Sequence, residues 1–151
     1  MLSLTPLLLA LPLAGFIILG IFARALPRAV IAVIGCGTVL VAFAVALGNF
    51  VAVQGTTAPQ DQTLWTWVVS GGLRIDFGLV VDHLAAIMML VVTGVGFLIH
   101  LYSAGYMAAE VRQDGGDTPA IQNARYARFF SFMNLFIFAM SLLVLADSFL
   151  F

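Results

Sequence analysis

"VVTGVGFLIHLYSAGYM", Val91 to Met107, lies within a longer apolar run from Leu79 to Tyr102, and one ionisable ring, His100, interrupts it. A run of that length decides the architecture, because about 20 mainly apolar residues at 1.5 Å each cover a hydrocarbon core of roughly 30 Å. Three further runs pass the same measure: Leu4 to Phe22, Ala29 to Val53, and Ala127 to Ala146. Each is expected to be helical, since lipid offers no partner for open backbone groups. Pro6 and Pro12 are possible kink points in the first.

Composition agrees. Of 151 residues, 63% are hydrophobic and 9% charged, and the mean hydropathy of +1.14 lies outside the range of soluble domains. The expected fold class is an all-α membrane protein of four transmembrane helices, a single membrane domain over residues 1–151. A net charge of -1 without any lysine gives no field for nucleic acid. Cys36 has no second thiol to pair with and reads as a small packing residue. The N-terminal run lacks a basic flank ahead of it, its first charges being Arg24 and Arg28, so it reads as a retained helix.

Orientation follows from arginine placement, because basic residues are held on the cytoplasmic side. Arg24, Arg28, Arg112, Arg125 and Arg128 fall in or beside the first and third connections, against Arg74 alone in the second. The expectation is a cytoplasmic location for loops 23–28 and 108–126, with the N-terminus and the second loop outside. In that outer loop, Ser70-Gly71-Gly72 is a turn signal flanked by Trp65, Trp67 and Val69 on one arm and Leu73, Ile75 and Phe77 on the other. Spacing by two predicts a short extracytoplasmic β-hairpin between helices 2 and 3, with indoles suited to the membrane surface. The inner loop, "AEVRQDGGDTPAIQNAR", reads as a connector. Asp147 and Ser148 resemble a helix cap before Phe149, Leu150 and Phe151, so a longer polypeptide is expected.

Chemistry-bearing residues are few. His83 and His100 are separated by about 25 Å along one helix, so they cannot share a haem or metal. For His100 two readings compete: an interfacial or hydrogen-bonded packing histidine, near enough to the cytoplasmic helix end for its ring to reach the interface, or a proton-relay group, since intramembrane ionisable residues mark ion routes. Asp82, at the outer end of the third helix, is either a cap meeting the helix dipole or a group at an ion exit. Arg125 and Arg128 read as anchors to inner headgroups. Gly94 and Gly96 sit mid-helix, where close helix contact explains them better than a nucleotide loop.

Two strings carry more. "LWTWVVSGGLRIDFGLVVDHLAAIMMLVVTGVGFLIHLYSAGYM" and "RYARFFSFMNLFIFAMSLLVLADSFLF" resemble the start of the L subunits of bacterial respiratory complex I, members of the antiporter-like subunit family. The resemblance covers roughly Leu64 to Phe151, the first two helices fitting in hydropathy and placement only. It implies scaffold helices plus the first helix of an antiporter-like repeat, in the bacterial inner membrane. It also implies proton translocation coupled to quinone reduction, with other complex I membrane subunits and the lipid bilayer as partners. Flavin, iron-sulfur clusters and quinone are expected in those other subunits, and no cofactor or catalytic redox site in this chain. The family's first proton-site glutamate would fall beyond Phe151 and its pumping lysines further on, so His100, within "GFLIH", and Asp82 are the only proton-pathway candidates here. Two alternatives remain open: a large subunit of a Mrp-type cation/proton antiporter, and a structural or assembly subunit without transport.

Overall fold

The computed structural model describes residues 4–23, 25–55, 60–71, 73–113 and 118–146. Arg24 and the Asp147 to Phe151 segment lie outside that set, as do the side chains of Trp65, Trp67 and Arg112.

Four helices, α1 (Thr5–Ile21), α2 (Arg28–Val53), α3 (His83–Gln113) and α4 (Pro119–Leu145), follow one another with strands β1 (Gln60–Ser70) and β2 (Leu73–Val81) between α2 and α3. Their ends are set by local chemistry. Pro6 lies in the first turn of α1, where no backbone donor is required, and Pro12 is accommodated inside it. Pro27 is extended, at ψ 152°, and its carbonyl accepts from Val30 and Ile31 to start α2. Thr118 and Pro119 start α4 in the same way, with Gln122 N–H donating to the Thr118 carbonyl at 3.0 Å.

The helices form a ring in which α1 touches α2 and α4, and α3 touches α2 and α4. Across the ring α2 also meets α4, so these two are the central pair. Because each helix reverses direction, the α1–α2 and α3–α4 connections share one end of the bundle. Arg28 fixes that pairing, its guanidinium donating to Asn123 Oδ1 at 3.0 Å and to Gln122 Oε1 across the two connections. The strands lie at the other end, where Leu79 bridges to Ala146.

Large apolar side chains face outward on all four helices, among them Ile21, Val33, Leu84, Leu143 and Phe136. Helices that are apolar all round need an apolar solvent. Three of them, α2, α3 and α4, are long and apolar enough to cross a membrane, and α1, at 17 residues, is shorter. This is the architecture of a multi-pass membrane protein.

Three boundaries differ from expectation. Leu79 to Val81 belong to β2 and not to the third helix: Leu79 and Val81 are buried with Leu8, Ala42, Ala46, Ala85 and Leu145, plugging the end of the bundle as extended chain. At its other end α3 runs on through Ala108, Ala109 and Glu110 to Gln113, because nothing there breaks a helix. And α4 begins at Pro119, eight residues ahead of Ala127. Most of the stretch expected to be a connector is therefore helix.

β1 and β2 pair antiparallel from Ser70↔Leu73 outward, and Gly71 turns with φ at 60°, a conformation glycine adopts without strain. The alternation is not strict. Irregularities between Thr63 and Trp65 and between Thr66 and Val68 each insert a residue, so Thr63, Thr66 and Val69 are exposed at intervals of three.

Candidate functional site

A polar side chain inside an apolar bundle must find a partner within the protein. Several find it in their own helix. Thr93 donates to the Met89 carbonyl at 2.6 Å, Asn134 Nδ2 to the Phe130 carbonyl at 3.0 Å, and His100 Nδ1 lies 2.7 Å from the Gly96 carbonyl. All use the acceptor four residues back, which a helix places beneath the side chain.

Others tie helices together. Asn49 Nδ2 on α2 donates to Thr5 Oγ1 on α1 at 3.0 Å, and Ser131 Oγ on α4 to the Phe16 carbonyl of α1 at 2.9 Å. At mid-bundle Thr38 Oγ1 approaches Asn134 Oδ1 at 2.8 Å. Toward the arginine-bearing end the Tyr126 hydroxyl donates to the Ala104 carbonyl at 3.1 Å, joining α4 to α3. Every helix pair in contact except α2–α3 thus shares a side-chain hydrogen bond among those named.

Small residues let the helices come this close. A Cβ added at Gly15 would lie 2.8 Å from Asn134 Oδ1 and 2.9 Å from Thr38 Oγ1; one at Gly35 would meet the Phe130 ring at 2.5 Å. Gly94 faces the Phe43 ring and Gly96 the Ile137 side chain, so both glycines serve close packing, as their mid-helix position implies.

His100 is fully buried and lies against the Gly96 carbonyl, so its place is that of a packing histidine and not of a ring reaching the interface. The reason is the length of α3: its last residue, Gln113, is about 20 Å further along the axis, so His100 is at mid-helix. Its ring lies 6.0 Å from that of Phe130, centroid to centroid, and borders an apolar cavity between α3 and α4 with Ile99, Met133, Phe136 and Met140. A carbonyl can only accept, so Nδ1 carries the proton toward Gly96. Nε2 of the neutral ring is then an acceptor, and it has no hydrogen-bond partner among the described residues.

Asp82 is elsewhere. It precedes α3 and its Oδ1 accepts from the Ala85 N–H at 2.6 Å, the geometry of a helix N-cap. It lies about 27 Å along the axis from His100, so the structure does not bring the two candidates together. His83 is exposed at the start of the same helix. Among the described residues no three His, Cys, Asp or Glu side chains gather as a metal site would require.

Sequence reasoning passed over Asn49, Thr38, Asn134 and Ser141, the last with an unpartnered hydroxyl among the described residues. The signal was available: a lone amide in "ALGNFV" or "FMNLF" is as costly in lipid as a lone imidazole.

Comparison with known proteins places these features. The family model for the N-terminus of NADH-ubiquinone oxidoreductase (complex I) chain 5 matches residues 67–130. NADH-quinone oxidoreductase subunit L of Escherichia coli K12 is 40% identical over 151 residues, 99% of this chain and 22% of that protein. The Mycobacterium tuberculosis subunit L is 39% identical over 148 residues, covering 96% and 21%. That of Neisseria meningitidis MC58 is 35% identical over 142 residues, covering 92% and 19%. The match includes α1 and α2, so these helices share more than hydropathy with such proteins. The chain spans about a fifth of the length of the relatives it matches.

Proposed function

The chain is similar, along nearly all of its length, to the N-terminal part of NADH-quinone oxidoreductase subunit L, and from that premise we propose that it is the scaffold of an antiporter-like membrane-arm subunit of complex I. In this reading α1 to α3 are scaffold helices and α4 opens the first antiporter-like repeat. Proton translocation is coupled to quinone reduction carried out elsewhere in the assembly. Flavin, iron-sulfur clusters and quinone are held by other subunits, and this chain supplies no redox group.

The observation that carries the proposal is the near-complete alignment of the chain with subunit L. The bundle is in keeping with it: polar side chains are consumed in joining helices, and the outer surface is apolar. The arginine-bearing connections face the cytoplasm and the β1–β2 end faces outward. His100 is a station of secondary weight, because among the described residues its mid-helix imidazole keeps one nitrogen open and no second ionisable group lines the cavity beside it.

The test is co-purification. A tagged chain isolated in mild detergent should bring flavin and iron-sulfur absorbance and NADH-dependent quinone reduction with it. An assembly lacking all three while exchanging cations for protons would replace complex I with a secondary antiporter.

A further inference from the structure

At the arginine-bearing end α1 stops at Ile21, while α4 continues outward for three more turns from the level where Ser131 meets Phe16. The step leaves a cleft of about 640 Å³, floored by Phe16, Gly20 and Phe132 and roofed by the turn after Phe22. A second cavity of about 430 Å³, lined by Ala120, Ile121, Ala124, Arg125 and Arg128, adjoins it toward the helix ends. Arg128 and Ala124 line both, and among the described residues neither lining contains a carboxylate.

Arg128 differs from its neighbours. Arg28 is bound to Asn123 and Gln122, and Arg125 has a partner of its own. The Arg128 side chain is exposed and makes no hydrogen bond or ion pair among the described residues. It lies about 8 Å further along α4 than Asn123, a depth from which a long side chain lifts its charge to the glycerol-phosphate level. Ser131, the other polar side chain among the described lining residues, already donates to Phe16.

We propose that this pair of cavities is a binding site for one anionic phospholipid. Its phosphate sits on Arg128 in the outer cavity, and an acyl chain descends past Gly20 over Phe16 and Phe132. An unpaired guanidinium at the mouth of an apolar cleft has the charge and depth to select a phosphodiester without a compensating cation. Gly20 keeps the floor open, since a Cβ there would meet only Ser131 Oγ, at 3.4 Å. The inference rests on the bundle spanning a bilayer and is independent of any role in proton translocation.

The native assembly, reconstituted in phosphatidylcholine vesicles doped with photoactivatable phosphatidylglycerol or photoactivatable phosphatidylcholine, tests it by peptide mapping. The anionic probe is expected to label the Phe16–Phe22 and Phe129–Phe132 segments about five-fold more than the zwitterionic one. Arg128→Gln should remove that preference, Arg128→Lys keep most of it, and Gly20→Leu lower labelling by both probes. Leu98, exposed on α3 and outside both segments, should be labelled equally by either probe whenever the bundle is in the bilayer. Equal labelling by the two probes, protection of the cleft by another protein segment, or an undiminished preference in Arg128→Gln would each overturn the site. Should Arg128→Gln fail to assemble, Gly20→Leu decides, because unchanged labelling there excludes the cleft.

Discussion

Thr38 on α2 and Asn134 on α4 meet at 2.8 Å, and a side chain added at Gly15 on α1 would strike both. Three helices close on this pair. Thr38 has a single proton, for which the carbonyls of Ile34 at 3.0 Å and Gly35 at 3.2 Å also compete. The pair is therefore held as much by fit as by hydrogen bonding.

Asn134→Ala should lower stability by about 1 kcal/mol, because Thr38 can return its proton to its own helix and interhelical hydrogen bonds in membranes are modest. Asn134→Asp should cost more, since it loses the same donor to the Phe130 carbonyl and in addition sets an ionisable carboxyl inside the apolar bundle. Thermal unfolding in detergent ranks the two. A smaller loss for Asp than for Ala would contradict the assignment.

Glycine substitutions should separate by neighbour. At Gly35 an added methyl meets the stiff Phe130 ring at 2.5 Å, so Gly35→Ala should destabilise by about 1–3 kcal/mol through overpacking. Gly37, two residues on, faces open space, and Gly37→Ala should be neutral or slightly stabilising. Gly96→Ala should be rescued by Ile137→Val, which withdraws the atom it strikes. Melting temperatures of the single and double variants check all three.

His100→Gln keeps a hydrogen-bond donor but does not titrate. It should leave assembly intact and reduce proton pumping mildly, as expected of a station that is not the principal one. Pumping measured in vesicles against NADH oxidation would reveal the opposite case, a severe loss in a fully assembled complex.

Asp82→Ala should weaken the start of α3 by about 1 kcal/mol, the usual worth of an N-cap. Asp82→Asn should retain most of that stability, because an amide oxygen also accepts from the Ala85 N–H. Pumping that falls sharply in Asp82→Asn, with stability preserved, would instead assign the carboxylate to an ion path.

Helices in number and order were legible in the sequence, because a bilayer enforces long apolar runs regardless of packing. Boundaries were less so. Leu79 to Val81 are as apolar as the helix that follows, and only their pairing with residues 60–62 of β1, together with burial at the bundle end, makes them strand. Asp82 showed its capping role through its position. The depth of His100 did not show, because Gly115, Gly116 and Pro119 gave the whole stretch before Ala127 the look of a connector, whereas α3 continues to Gln113. The partnerships of Thr38 with Asn134 and Thr5 with Asn49 link residues far apart in the chain, and periodicity has no access to them.

The central claim is that the arginine-bearing connections share one face of the membrane, opposite the β1–β2 end. Single cysteines replacing Val69 and Ala120, both exposed, in a Cys36→Ala background test it with a membrane-impermeant maleimide on intact spheroplasts. Val69→Cys should react at once and Ala120→Cys only after permeabilisation. Reaction of both from the same side would contradict the account.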